Sequence, residues 1–311
     1  MCARDGYTVF QGGCETDEAC VRIVPSDPLY PRRRLEGWSR SGVALFVRGD
    51  ATILARGGLA VCGSRRPTPY GVAAAELCGR VSAECGLITW SGAALGCEQA
   101  ALRAALRAGG TCAIVSACGP DLFYPASSHH LFEETLATGG LVVSMEGVGT
   151  PVARHLFPRR NELLAVLADS IVVCEAGERS STTRTVYAAL DMGRAVYAVP
   201  GSIFSPKSVG TNRLVRDGAC PVVSEQDLKA RIALDFGVSC VAADEIPVVM
   251  GRVRAFLSAT PMEPHELAGA VDVDISTLVR TVEDLIASGI VCRLQDGRLS
   301  LTAEAYGSLG A

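Results

Sequence analysis

The residues best suited to chemistry gather where short apolar runs stop. The first such place is Val61-Cys62-Gly63-Ser64-Arg65-Arg66-Pro67-Thr68-Pro69-Tyr70-Gly71, where an apolar run ends at Gly-Ser-Arg and helical spacing resumes beyond it. A strand feeding a helix through such a turn aims backbone N–H groups and the positive end of the helix dipole at one point, where an anion can sit. Arg65 and Arg66 stand at that point. A second cluster, Arg154-His155-Leu156-Phe157-Pro158-Arg159-Arg160-Asn161, sets a ring among arginines where a loop opens a helix at Pro158, a residue suited to the first turn. Arginine neutralises phosphate and a ring offers a face to a base, the pairing that an unpaired polynucleotide needs, with about 1–3 kcal/mol per stacked base. The plainer use of the same residues is packing of Phe157 in the core and an ion pair of Arg159 or Arg160 with Glu162 or Glu178. Two further stretches belong with these. The hydroxyls of Glu178-Arg179-Ser180-Ser181-Thr182-Thr183-Arg184-Thr185 suit helix capping or a phosphate oxygen. The segment from Val199-Pro200-Gly201 through Lys207 to Asn212-Arg213-Leu214 reads as a long loop and then a helix start, and long loops inside compact domains usually carry function.

Enzyme chemistry finds little support. Of the four histidines, His129 and His130 are adjacent while His155 and His265 are isolated, so no metal-ligand spacing such as H-E-x-x-H arises. There is no G-x-S-x-G elbow, no G-x-x-x-x-G-K-[ST] loop and no G-x-G-x-x-G after the first strand. Glu98, Asp121, Glu146 and Glu175 fall at or near strand ends, where an acid and a base could sit, but none has a partner of evident role. The thirteen cysteines are scattered through apolar runs with no C-x-x-C pair, which suits small buried thiols. The expectation is no metal, no cofactor and no catalysis.

The elements that must position these clusters follow a regular beat. Apolar runs recur at Leu59–Cys62, Leu87–Trp90, Cys112–Val115, Leu141–Ser144, Ile171–Cys174, Ala195–Val199 and Cys220–Val223, separated by helical spacing such as Val72–Cys85, Gln99–Arg107, Leu131–Thr138 and Thr182–Met192. Alternating strands and helices of these lengths predict an α/β fold, an extended Rossmann-like parallel sheet with helices on both faces. The near-continuous apolar strands fit burial on both sides. Ligands of open α/β sheets bind outside the carboxyl ends of the strands, so the turns named above define one candidate site. The domain reading is a peripheral segment over 1–50, the sheet domain over 51–230, a linker over 231–250 and a small unit over 251–311. Within 1–50, Arg32-Arg33-Arg34 reads as a solvated corner and Val43–Asp50 as one strand.

Net charge is −4, so attraction to phosphates must come from local clusters. Of the basic residues, 27 are Arg and two, Lys207 and Lys229, are Lys. No apolar run of about 18 residues occurs, and the start lacks a basic stretch followed by an apolar one, so the expectation is a soluble, cytoplasmic chain without a membrane partner. The last unit predicts three helices over Val253–Leu257, Glu266–Ala270 and Ser276–Ala287, then a hairpin turning at Asp296-Gly297, the order of a winged helix-turn-helix. It carries five Arg against eight Asp and Glu, and its third helix sets Arg280 beside Glu283 and Asp284. That balance favours protein contact or packing on the sheet domain over duplex reading.

Taken together, these motifs resemble the DNA-processing protein A (DprA, or Smf) family of bacterial natural transformation. The resemblance is carried in order by Tyr30-Pro31, Val61-Cys62-Gly63-Ser64-Arg65, Tyr70-Gly71, Ser91-Gly92, Gly119-Pro120-Asp121-Leu122-Phe123-Tyr124-Pro125, Phe157-Pro158-Arg159-Arg160-Asn161, Glu178-Arg179-Ser180, Val199-Pro200-Gly201-Ser202 and Gly210-Thr211-Asn212-Arg213-Leu214. It implies a non-catalytic protein that binds single-stranded DNA without sequence preference, forms a homodimer, protects incoming DNA and loads the RecA recombinase. By resemblance, Gly63, Ser64, Arg65, Arg66, Phe157, Arg159, Arg160, Asn161, Lys207 and Asn212 contact DNA. Three departures accompany it. Ser91-Gly92-Ala93-Ala94-Leu95-Gly96-Cys97-Glu98 and Leu102 stand where the family usually has S-G-L-A-R-G-I-D followed by a histidine. Glu162 stands where R-N-R is usual after Arg160-Asn161, and Ser181 where glycine is usual. A carboxylate beside a phosphate site implies weaker binding. The rival reading is a nucleotide-cleaving enzyme of the phosphoribohydrolase sort, whose P-G-G-x-G-T signature Glu175-Ala176-Gly177-Glu178 does not supply.

Overall fold

The computed structural model describes residues 20–178, 180–238, 245–302 and 305. These fall into two compact units divided between Glu225 and Gln226. In chain order the first carries β1 (Val21–Ile23), α1 (Arg32–Leu35), β2 (Leu45–Gly49), β3 (Gly58–Cys62), α2 (Pro69–Glu84), β4 (Ile88–Ser91), α3 (Cys97–Arg107), β5 (Cys112–Val115), α4 (His129–Ala137), β6 (Leu141–Ser144), α5 (Leu156–Leu167), β7 (Ser170–Val173), α6 (Thr182–Asp191), β8 (Ala195–Ala198), α7 (Val209–Arg216) and β9 (Cys220–Pro221). Then follow α8 (Glu225–Phe236), α9 (Glu245–Ala259), α10 (Pro264–Val271), α11 (Ile275–Ala287), β10 (Val291–Arg293) and β11 (Leu299–Leu301).

The strands of the first unit form one sheet in the order β1-β2-β6-β5-β4-β3-β7-β8-β9. From β6 to β9 every pairing is parallel. The expected parallel α/β sheet is therefore present, and its double-sided burial shows in the alternation of side chains. On β5, Cys112 and Ile114 join a core with Leu102, Phe123 and Phe132, while Ala113 and Val115 join the opposite core with Leu163, Leu164 and Val186. Chain order reverses at β3, which has β4 on one side and, after three further strands, β7 on the other. That switch point opens a crevice at the carboxyl ends of β3 and β7.

Residues 21–49 differ from the peripheral segment expected. Strand β2 pairs antiparallel with β6 (Phe46 opposite Ser144) and β1 pairs with β2, so this segment covers a sheet edge that would otherwise be open. Arg34 is not a solvated corner either: its guanidinium lies 2.6 Å from Asp169 and 3.0 Å from the Leu167 carbonyl, pinning α1 to the start of β7. The expected linker also changes, since α8 runs to Phe236 and α9 begins at Glu245.

The second unit holds α9, α10 and α11 over a core of Val253, Leu257, Leu267, Leu278 and Leu285, joined by the antiparallel hairpin β10–β11. The hairpin turns where expected. Asp296 accepts from the Arg298 backbone N–H at 3.1 Å, and Gly297 takes φ of +90°.

Candidate functional site

The switch-point crevice is built on a floor of buried groups. At the β3–α2 turn, Thr68 caps α2 by accepting from the Gly71 N–H at 3.2 Å, and Pro69 occupies the first turn. Glu175, at the end of β7 and 2% exposed, accepts from the Thr68 N–H at 3.2 Å and from the Thr68 hydroxyl. The sequence suggested an open anion seat at this helix start. The seat is filled from within, because a carboxylate at a helix N-terminus is stabilised by the same N–H groups and dipole that would hold a phosphate. Beside it Cys97 opens α3, its thiol pushed up to about 12 by burial first and by Glu175 second. Cys62, at the end of β3, is raised well above its ordinary value by the same burial.

The β4–α3 loop completes the floor. Glu98, in the first turn of α3, accepts from the Ala94 N–H at 3.0 Å and from Arg160 Nη1 at 3.2 Å. Arg160 is only 3% exposed, and its Nε has no hydrogen-bond partner. Its guanidinium occupies the place a side chain would take at residue 92, 1.1 Å from an ideal Cβ, so Gly92 is required by this close approach. Gly96 is required twice over: its φ is +83°, and a Cβ there would lie 2.4 Å from the Ser64 carbonyl. Ala93 adopts φ of +55°, with its carbonyl accepting from the Ser128 hydroxyl at 2.6 Å; a left-handed alanine costs about 1 kcal/mol. Nothing in the sequence marked that strain.

Over this floor lies an open rim. Arg65 and Arg66 are exposed, and no carboxylate among the described residues pairs with either. Arg65 stands over the half-buried Phe157 ring at 5.2 Å from its centroid, and Arg160 approaches the same ring at 5.9 Å, both within cation–π range. Tyr124 meets Phe157 edge-on at 5.6 Å. Three openings share Arg65. The first, between Phe157, Tyr124, Leu95 and Arg160, holds ≈ 30 Å³, room for about one water. The second is a groove of ≈ 660 Å³ bordered by Arg65, Phe157, Asn161, Ser180, Ser181 and Tyr187. The third, of ≈ 320 Å³, is bordered by Gly63, Ser64, Arg65, Arg66, Ser180, Ser181 and Lys207. Phe157 borders both the first and the second opening.

Of the ten residues singled out from sequence, seven border the two larger openings: Gly63, Ser64, Arg65, Arg66, Phe157, Asn161 and Lys207. Ser64 Oγ accepts from the Arg66 N–H at 3.2 Å, and Lys207 Nζ donates to the Arg66 carbonyl at 2.9 Å, tying two turns together. Arg160 borders the small opening but is committed to Glu98. Arg159 pairs with Glu146 at 3.2 Å and borders none of the three. Asn212 spends both ends of its amide on Gly201, accepting from its N–H and donating to its carbonyl at 3.0 Å each, so it clamps the β8–α7 loop instead of facing a ligand. The ion pairs suggested for Arg159 and Arg160 form with other carboxylates, for Glu162 pairs with Arg40 at 3.3 Å and Glu178 with Arg213 at 2.8 Å. Glu162 therefore borders a separate groove with Trp38, Arg40 and Arg184. Ser181 precedes α6 without a side-chain cap; Ser180 Oγ accepts from the Thr182 N–H at 3.2 Å. Arg179 lies outside the described residues.

Of the cysteines, nine described ones are free thiols, among them the buried Cys62, Cys78, Cys97, Cys112, Cys118 and Cys174; Cys85 is not among them. Cys2, Cys14 and Cys240 lie outside the described residues. No group of three or more His, Cys, Asp or Glu among the described residues is placed to hold a metal ion. No helix among them is long and apolar enough to cross a membrane.

The chain is similar to known proteins. Protein Smf of Escherichia coli is 33% identical over 226 residues, 72% of this chain and 60% of its own length. DNA processing protein DprA of Streptococcus pneumoniae is 36% identical over 204 residues, 66% of this chain and 71% of its own. The chain thus matches about three fifths to seven tenths of these relatives. The crystal structure of the pneumococcal protein superposes with a TM-score of 0.63 at 34% identity, over 68% of this chain and 74% of that one. DNA processing protein A of Helicobacter pylori, solved for its single-stranded DNA binding mode, shares the fold with a TM-score of 0.60 at 24% identity, over 69% of this chain and 96% of that one. The family model described as DNA recombination-mediator protein A matches residues 22–233, which takes in the whole parallel sheet and every residue of the rim, and the chain belongs to that family.

Proposed function

We propose that the rim binds single-stranded DNA without sequence preference and without turning it over. The observation that carries this reading is the Phe157 ring, capped by the exposed Arg65 guanidinium at 5.2 Å and facing a groove of ≈ 660 Å³. A ring accepts any base, and exposed arginine neutralises any phosphate, so neither contact distinguishes sequence. The binding mode described for the Helicobacter pylori protein of the same fold supports the choice of ligand. A non-catalytic role is supported by the state of the acidic groups: Glu175 is spent on Thr68, Glu98 on Arg160 and Glu146 on Arg159. Asp121 accepts from the Gly149 N–H at 2.9 Å. A carboxylate that already accepts from N–H or guanidinium groups is a weaker proton acceptor.

In this reading the chain works in the cytoplasm as a homodimer during natural transformation, shielding incoming single strands and loading RecA on them. The family description as a recombination mediator supports that role. The carboxy-terminal helices and hairpin are assigned to the winged-helix class and, given their acidic balance, to protein contact. The test is fluorescence anisotropy with matched single and double strands at two salt concentrations. Single strands should bind with an affinity that falls steeply with salt, by about 0.7 log units per log unit of salt for each phosphate contact. Equal affinity for the duplex, or release of free base from nucleoside monophosphates, would overturn the reading.

A further inference from the structure

The β8–α7 loop carries two large apolar side chains held in water: Ile203 is 82% and Phe204 90% exposed. A single exposed apolar residue is ordinary. This loop is unusual in being tied down on all sides of its tip. Asn212 clamps Gly201, the Ser205 N–H donates to the Ser202 carbonyl at 3.1 Å, and the Ser208 N–H donates to the Ser205 carbonyl at 3.0 Å. The Phe204 N–H donates to Ser202 Oγ at 3.2 Å. Pro206 lies so near the β7–α6 turn that a Cβ on Gly177 would come 3.3 Å from its carbonyl oxygen. Lys207 reaches across to the Arg66 carbonyl. The ring is thus presented by a braced loop, so little ordering is required when something lands on it.

What could land is set by the surroundings. The same loop supplies Lys207 to the ≈ 320 Å³ groove that also takes in Arg65 and Arg66, and Arg65 joins that groove to the one beneath Phe157. A polyanion leaving Phe157 along this line of cations is led to the loop that carries Phe204. Rings flanked by cations at intervals along a groove are how unpaired strands are held, with phosphates neutralised and bases stacked. The geometry points to Phe204 as a second base-stacking platform, which lengthens the single-stranded DNA path from Phe157 through Arg65, Arg66 and Lys207 to the β8–α7 loop. This rests on the reading above of the rim as a single-strand site.

The test compares Phe204→Ala and Arg65→Ala with the unaltered chain, using oligo(dT) of about 4 and about 16 nucleotides, the span of single-strand site sizes. Phe204→Ala should bind the longer oligonucleotide about tenfold more weakly and the shorter one unchanged. Arg65→Ala should weaken both. The urea midpoint of Phe204→Ala should match that of the unaltered chain, because an exposed ring contributes little to folding. In Phe204→Trp, the emission gained over the buried Trp38 and Trp90 should be quenched on binding the longer strand only. Unchanged binding of the longer strand by Phe204→Ala, or equal loss at both lengths, would overturn the platform while the rim reading stands. Failure of the unaltered chain to bind either strand would overturn both.

Discussion

The floor and the rim of the switch-point crevice come from the same turns and have opposite chemistry. On the floor, the carboxylates are already answered: Glu175 by Thr68, and Glu98 by Arg160 and the Ala94 N–H. On the rim, Arg65 and Arg66 border open grooves, with Lys207 at their side donating to a backbone carbonyl. Arg65 and Arg160 show the contrast most sharply, since both face Phe157 within 6 Å. One is exposed and uncommitted to any described carboxylate, the other 3% exposed and bound to Glu98. Residue type therefore does not decide which arginine binds a ligand. What decides it is whether the fold has already used its charge.

The largest effect that would expose the floor is alkaline. Burial raises Cys97 and Cys112 to about 12 from an ordinary value of 9.0, and Cys62 well above it. In the unfolded chain these thiols ionise near pH 9, while in the folded chain they keep their protons. The stability they contribute is therefore intact below pH 9 and is lost as pH rises from 9 toward 12, at about 1.4 kcal/mol per thiol per pH unit. Urea midpoints should fall steeply above pH 9, and Cys97→Ala should flatten that fall by one thiol's share. An unchanged slope in the variant would show that Cys97 is not held neutral.

Next comes the buried pair. Arg160→Ala leaves Glu98 with one N–H partner in a site where its carboxylate is 12% exposed, and removing one member of a buried pair costs about 3–5 kcal/mol. The urea midpoint should drop accordingly, and Glu98→Gln combined with Arg160→Met should recover most of the loss by making the site neutral. If Arg160→Ala unfolds with the unaltered midpoint, the pair is not structural and the division between floor and rim fails at its centre. Any loss of DNA affinity in Arg160→Ala must accordingly be read against its stability.

The central strands β3 to β7 were legible because each is covered on both faces, so they appear as unbroken apolar runs, and the turns following them appear as small and polar clusters. Helix starts were less legible: α5 begins at Leu156, two residues before the proline that suggested it. Strand β2 was read as a strand, but its partner in β6 lies almost a hundred residues away and leaves no local trace. The same holds for the site. Arg65 and Phe157 could be brought together on paper because both follow strands of one sheet edge. The pairing of Arg160 with Glu98 across 62 positions, and of Glu162 with Arg40 across 122, could not. Glu162 looked like a carboxylate beside a phosphate seat, yet its charge is answered by Arg40 in a neighbouring groove. At Leu95, another departure from the family pattern, the side chain is 47% exposed and borders the small opening, while Leu102 is fully buried beside Phe132. Local patterns report which face a residue takes. They do not report which charge it meets.

The smallest effect on folding, and the most direct on function, belongs to Arg65. Because it is exposed and bonded to no described carboxylate, Arg65→Ala should leave the urea midpoint within about 0.5 kcal/mol of the unaltered chain. It should nonetheless lower affinity for oligo(dT) about tenfold and flatten the salt dependence by about 0.7, the share of one phosphate on a single strand. Arg65→Lys separates its two uses. Lysine keeps the charge, so the salt slope should hold, but its compact ammonium cannot lie flat between a ring and a base, so part of the affinity should still be lost. A salt slope unchanged in Arg65→Ala would mean that this guanidinium meets no phosphate. The rim would then owe its binding to Arg66 and Lys207 alone, and the ring of Phe157 would lie off the path of the strand.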